Sequence, residues 1–353
     1  MREGCLARDW LPRLAPAVST NPQRTESGQP VSLTASAPLD TISRRPKGDR
    51  GAAQYLLGGQ QQVIRVELLE QARREFAEKI RAMSALRSTR LVDALGSIPR
   101  EKFLGPGPWQ ILRLAEAMRG YEFTPDDDPR HLYDNVLVAL DASRNLNNGE
   151  PAFLLRCLDD LDLSPRDRFL HVGCGVGYYT AVAALTVAAG TVVGIELDAQ
   201  LAERARQNLR HWPNVTVLEA DGSEFVSQPF DAIFVNAGAT EPLPSWLDQL
   251  RIGGRLLVPM TVDLSTPWCG LGAGNMLLVT RHSDLFSARF TSSVGIFHCA
   301  GARTINGVNL LRQAYLRGGH DRVRSLRRDE HPSSPQCWLH APRFCLSYVG
   351  ADR

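Results

Sequence analysis

No apolar run in this 353-residue chain reaches the length of a membrane span. The longest, Ala181 to Ile195, is interrupted by two glycines and two threonines and falls short of the ~20 residues required. The N-terminus places Arg2 and Glu3 ahead of a proline-, serine- and threonine-rich stretch, without the unbroken apolar core of a secretory signal, so a cytoplasmic protein without a membrane partner is expected. Cysteine is sparse: the seven thiols (5, 157, 174, 269, 299, 337 and 345) form no Cys-x-x-Cys pair and no His-rich cluster. Neither a zinc site nor a disulfide framework is expected, and the metal content is read as none. Charge of one sign is also lacking, with a formal net charge of +2. The first 60 residues, with eight Lys/Arg against five Asp/Glu, leave the rest near neutral, so no nucleic-acid partner is expected. Gly-x-x-x-x-Gly-Lys-Ser/Thr is missing, which excludes a phosphate-gripping loop of the NTPase kind.

What remains, 43% hydrophobic and 22% charged, suffices for one large or two modest soluble domains. One stretch organises it: Phe169-Leu-His-Val-Gly-Cys-Gly-Val-Gly-Tyr178. An apolar run of strand length meets Gly173, Gly175 and Gly177 and then an apolar segment of helical length. Strand, tight turn and helix N-terminus together suit a nucleoside cofactor lying against backbone amides.

Residues 1–60 mix Pro, Ser, Thr, Gln, Gly and Arg without period and read as a disordered leader. From Val63 the spacing of Leu68, Ala72, Phe76, Ile80 and Met83 predicts an amphipathic helix, and Ser88 caps a second one ending at Gly96. These helices read as a brace for the domain after them. Residues 105–130 read as loop with a helix possible only at Ile111 to Met118, and 131–140 as a strand. Asn145-Leu-Asn-Asn-Gly-Glu-Pro151 makes either a plain turn or a substrate loop through Asn147, Asn148 and Gly149. Strands are then expected at 168–172, 191–197, 215–220, 230–236 and 255–259, with helices near 178–188, 199–210 and 243–250. Such alternation signifies a mostly parallel, doubly wound α/β sheet. Further strands at 275–280 and 286–297 would be antiparallel additions. The tail from Gly301 offers one helix, Val308 to Leu316, and otherwise reads as a loosely packed extension. The domain divisions are thus 1–60, 61–150, 151–300 and 301–353.

Ligands of such sheets bind at the carboxyl ends of the strands. There lie Glu196, 21 residues after Gly175, then Asp221-Gly222, then Asn236. An acid at Glu196 suits ribose hydroxyls, although Glu196 and Asp198 could equally cap the next helix and Asp-Gly is a common turn. The glycines run Gly-x-Gly-x-Gly, not Gly-x-Gly-x-x-Gly, which points away from a dinucleotide and towards S-adenosylmethionine.

The run Phe169 to Met260 resembles a class I methyltransferase core with a Rossmann-like sheet, and in particular the protein-L-isoaspartate O-methyltransferases. Ile98-Pro-Arg-Glu-Lys-Phe103, Tyr133-Asp134 and Leu250-Arg-Ile-Gly-Gly-Arg-Leu-Leu-Val-Pro259 resemble further segments of that family. The resemblance implies a cofactor set of Gly173, Cys174, Gly175, Gly177, Glu196, Leu197, Asp221, Gly222 and Asn236, with the glycines at the methionine part, Glu196 at the ribose, and Asp221 and Gly222 at the adenine. It also implies methyl transfer to a carboxylate of a protein or peptide. One departure stands out: the family's Ser-x-Pro is here Gly149-Glu150-Pro151, so the serine is absent. Methylation of a small-molecule acceptor, or cofactor-fold binding without catalysis, are the other readings the residues leave open.

Overall fold

The structure, a computed structural model, describes residues 50–144, 146–264 and 271–351. Most of the expected leader, and Asn145 of the candidate substrate loop, lie outside the described residues. Met1–Val63 and Ile64–Arg353 form two compact units; of the first, residues 50–63 are described and are helical. Helix α1 (Arg50–Ser84) therefore begins inside the segment whose composition suggested disorder. Ala52, Ala53, Leu56, Leu57 and Gln60 to Gln62 are good helix formers, a signal that the Gly58-Gly59 pair hides. Helix α2 (Thr89–Ser97) is capped by Ser88, whose hydroxyl accepts the Leu91 N–H, and α3 (Glu101–Leu104) follows at once.

A small antiparallel sheet comes next, in the order β2-β1-β3-β4, from β1 (Gln110–Leu112), β2 (Glu122–Phe123), β3 (Leu137–Asp141) and β4 (Leu146–Asn147). Two expectations change here. The stretch 105–130 supplies two strands, and its helical pieces are a 3-10 turn at Leu114–Arg119 and the start of another at Pro129. The strand expected over 131–140 starts at Leu137, because Pro129–Leu132 forms a 3-10 turn in which the Asp128 carboxylate accepts the Arg130 N–H.

The large sheet follows the expected alternation: α4 (Pro151–Asp160), β5 (Arg168–Val172), α5 (Tyr178–Thr186), β6 (Thr191–Glu196), α6 (Ala199–Leu209), β7 (Val215–Glu219), β8 (Phe230–Val235), α7 (Pro244–Asp248) and β9 (Leu250–Asp263). Strands β9, β8, β5, β6 and β7 lie side by side and parallel. Strands β10 (Leu271–His282) and β11 (Leu285–Phe297) add to β9 antiparallel.

Neighbouring residues of each central strand join different apolar clusters, as a pleated strand requires. Phe169, Ala232, Phe234 and Leu257 pack with α2, α4 and α5. Leu170, Ile233, Val235, Leu256 and Val258 pack on the other face with Trp246, Leu311 and Trp338. The second cluster overturns the expectation of a loosely packed tail. Helix α8 (Ile305–Arg317) is followed by β12 (Ser325–Arg327), β13 (Cys337–Ala341) and β14 (Phe344–Ser347), which extend the sheet to ten strands in the order β13-β14-β12-β11-β10-β9-β8-β5-β6-β7. Trp338 is 1% exposed, and its indole N–H donates to the Gly318 carbonyl at 2.9 Å. The tail covers a sheet face that would otherwise meet water. No helix of the described residues is long and apolar enough to cross a membrane.

Candidate active site at the strand ends

Register brings the expected cofactor residues together. Val172 pairs with Ile195 on one side and Val235 on the other, and Glu196 pairs with Glu219. Gly173, Glu196, Asp221 and Asn236 thus stand at or just beyond the carboxyl ends of four adjacent parallel strands. The turn after β5 is pinned to its neighbours: the Gly173 and Cys174 N–H groups both donate to the Ile195 carbonyl, and the Asn236 side-chain amide donates to the Gly173 carbonyl at 3.3 Å. Gly175 has φ of +56° and open space where a Cβ would stand. A left-handed backbone beside an open face is what a glycine permits for close approach of a ligand.

The Gly175 N–H donates to Glu196 Oε2 at 2.7 Å, while Oε1 accepts the N–H groups of Leu197 at 3.0 Å and Asp198 at 3.1 Å. Glu196 therefore bridges two strand ends and does not cap α6. That task falls to Asp198, whose Oδ1 accepts the Gln200 and Leu201 amides. The Leu201 N–H, aided by Arg144, holds the Asp198 carboxyl below the ordinary carboxylate range. Leu197 stands 55% exposed beside this acid. Cys174 and Gly177 contribute differently: the Cys174 side chain is buried, and Gly177 is the N-cap of α5. Asp221 Oδ1 accepts the Ser223 N–H at 2.8 Å, and the Gly222 carbonyl accepts the Trp246 indole N–H at 2.8 Å.

The Asn147–Gly149 loop is fastened to the same region. Tyr179, in the first turn of α5, donates its hydroxyl to the Gly149 carbonyl at 3.2 Å, and Arg144 pairs with Asp198 at 2.7 Å. Asn147 Oδ1 accepts the Gly149 N–H at 2.9 Å. Asn148 N–H donates to the Val138 carbonyl, while its side-chain Nδ2 is buried without a hydrogen-bond partner. A buried amide donor with nothing to bond costs about 1–3 kcal/mol, so this atom suits an acceptor ligand.

Gly149 has φ of +74°, and an added Cβ would stand 2.6 Å from Leu154 Cδ1. Gly149→Ser should consequently lower stability by about 1–3 kcal/mol and raise the KM of any acceptor, as read by urea denaturation and steady-state rates. Wild-type stability in that variant would mean that the loop does not take this backbone path.

The Pro-Arg-Glu and Tyr-Asp segments meet beneath the loop. Arg100 is fully buried and donates to the carbonyls of Leu132 at 2.8 Å and Val136 at 2.9 Å, with its guanidinium 5.9 Å from the Tyr178 ring centroid. The Tyr133 hydroxyl donates to Glu101, and Lys79 pairs with Asp134 at 2.7 Å. These residues position the chain that leads into the loop. Sequence reasoning misses a further group at the same edge: Arg303 donates to the Gly238 carbonyl, to Thr261 and to Asp263, and His298 lies 3.3 Å from Asp263. Their signal is Gly301-Ala-Arg303, at the start of the segment that reads as a tail.

Residues 71–266 match the family model described as protein-L-isoaspartate(D-aspartate) O-methyltransferase. The chain belongs to the protein-L-isoaspartate O-methyltransferase family. It is 31% identical to the protein-L-isoaspartate O-methyltransferase of Protochlamydia amoebophila (strain UWE25) over 226 residues, 62% of this chain and 95% of the relative. The enzyme of that name from Syntrophus aciditrophicus (strain SB) is 33% identical over 237 residues, covering 63% of this chain and 93% of its own. A solved structure of a protein-L-isoaspartate O-methyltransferase, 23% identical, superposes with a TM-score of 0.51 over 69% of each chain. The ten-stranded sheet is therefore built on the class I methyltransferase fold of this family, and β12 to β14 lie beyond the stretch its model matches.

Proposed function

We propose that this chain transfers the methyl group of S-adenosylmethionine to a carboxylate of a protein or peptide. The observation that carries this reading is the Glu196 carboxylate, bound by three backbone amides at the junction of β5 and β6. A carboxylate has about four acceptor positions, so one remains for a ribose hydroxyl, next to the open face of Gly175. Asp221 and Gly222 would then lie at the adenine, Leu197 against its ring, and Gly173, Cys174, Gly177 and Asn236 around the methionine part. When bound, the cofactor supplies an electrophilic methyl on a sulfonium.

The protein's part is orientation. A carboxylate acceptor with a reference pKa near ~4 is ionised at neutral pH and needs no base, and holding two reactants in line can lower a barrier by roughly 7–11 kcal/mol. The buried Asn148 amide is the group we assign to the acceptor, in place of the family's absent serine. The imidazole on β5 does not serve as base: His171 is buried, hydrogen-bonded to Thr180 at 2.9 Å, and pushed down to about 3 by desolvation. The rate on an isoaspartyl peptide should accordingly be flat from about pH 6 to 9, since the acceptor titrates near ~4. A rate that climbs steadily across that range would indicate an amine or hydroxyl acceptor and overturn the assignment.

A further inference from the structure

The last three strands gather a group of side chains that methyl transfer does not use. His331, Cys337, His340 and Cys345 each bring one ligand atom to a point where all four lie within 4.8 Å of one another. They come from three pieces of chain: the link between β12 and β13, strand β13 itself, and β14. His340 pairs directly with Cys345 across the two strands. Cys337 and His340 are three residues apart, which in a regular strand would send them to opposite faces. The register shift between Cys337 and Leu339 removes that obstacle, since an irregularity of this kind re-aims a side chain.

Two further observations point to a ligand. The His340 Nδ1 atom is buried and has no hydrogen-bond partner, a cost that a coordinate bond would remove. His331 directs its Nδ1–H at the Asp329 carbonyl, 2.9 Å away, which leaves Nε2 as the lone-pair nitrogen, 3.7 Å from Cys337 Sγ. A histidine ligand is commonly oriented through its other ring nitrogen in this way. The two imidazole rings stand edge to face with centroids 4.9 Å apart.

We propose that His331, Cys337, His340 and Cys345 bind one zinc ion in a closed, tetrahedral Cys2His2 site. Two sulfurs and two imidazoles are a ligand set that selects zinc over hard cations, and four protein ligands leave no open position, which makes the site structural. Zinc–sulfur bonds of about 2.3 Å and zinc–nitrogen bonds of about 2.0–2.1 Å place tetrahedral ligands roughly 3.3–3.8 Å apart, so the cluster needs to contract by only about 1 Å. Two thiolates balance the dication, and any proton still on the thiols leaves to solvent on binding. The site lies at the β13–β14 edge of the sheet, opposite the β5–β7 edge where the cofactor residues stand. There it ties the link after β12 to β13 and β14, strands of five and four residues, lengths that give little stability without a staple.

The test is the metal content of the full chain, expressed with zinc in the medium and gel-filtered under reducing conditions. Mass spectrometry of the metals should find about one zinc per chain, falling to less than about a tenth in Cys337→Ser/Cys345→Ser. Because that variant could fail to fold, the wild-type chain is also stripped and titrated with cobalt(II). Tetrahedral thiolate ligation would show as intense visible d–d absorption with a near-ultraviolet sulfur-to-cobalt band, both abolished by one equivalent of zinc. Wild-type chain without zinc and without that spectrum would overturn the proposal. So would zinc retained in the double variant, or a Cys337–Cys345 disulfide found in a non-reducing digest of the chain made in a reducing cytosol.

Discussion

Replacing Glu196 with alanine should weaken S-adenosylmethionine binding by about ten- to a hundredfold, the worth of one charge-assisted hydrogen bond of roughly 1.5–3 kcal/mol. The variant also releases the Gly175, Leu197 and Asp198 amides that the carboxylate now holds, so the turn after β5 loses its link to β6. Glu196→Gln separates the two contributions. Its amide oxygen can still accept from part of the backbone but carries no charge, and its affinity should fall between wild type and alanine. Calorimetry with the cofactor reads both. Equal affinity in all three proteins would remove Glu196 from the ribose site and with it the register argument for the neighbouring strand ends.

The second large effect is expected at Arg100, which donates to backbone carbonyls of the chain that leads into the loop. Arg100→Met keeps an apolar stem of similar length but leaves the carbonyls of Leu132 and Val136, now its partners at 2.8 and 2.9 Å, without donors. At about 1–3 kcal/mol for each buried carbonyl, the loss is roughly 2–6 kcal/mol of stability, measured by urea denaturation. The segment those carbonyls belong to runs directly into β3, and β3 pairs with β4 at Asn147. Misplacing it should therefore raise the KM for a peptide acceptor by tenfold or more while cofactor affinity stays nearly constant. A variant that lost cofactor affinity in proportion to acceptor binding would instead make Arg100 a general fold residue.

How much of the fold and site could be read from the residues depended on how far each element announces itself locally. Strands β5, β6 and β8 are buried on both faces and so appear as Val/Ile/Leu runs; the glycine turn and Glu196 take their positions from them. The tail is the reverse case. Strands β12 to β14 are too short to show a period and are separated by links that carry Pro332, Pro335 and Pro342, yet Trp338 and Leu346 are as buried as the central strands. The histidine and cysteine cluster escapes notice because a search for Cys-x-x-Cys passes over Cys337-Trp-Leu-His340, and because only the hairpin brings Cys345 back beside it. The reach of Arg303 to the Gly238 carbonyl is a tertiary fact: Gly301-Ala-Arg303 marks a turn with a basic residue, but nothing local says which carbonyl it meets.

The methyl ester itself is the most direct measurement. The full chain is incubated with S-adenosylmethionine carrying a labelled methyl group and with a peptide pair that differs only in holding isoaspartate or aspartate. The account predicts label on the peptide as an ester, released as methanol by mild base, with the isoaspartyl peptide labelled in preference. Label that survives base on either peptide would contradict carboxylate transfer, and a folded, cofactor-binding chain that labels no protein or peptide carboxylate would contradict the proposed function.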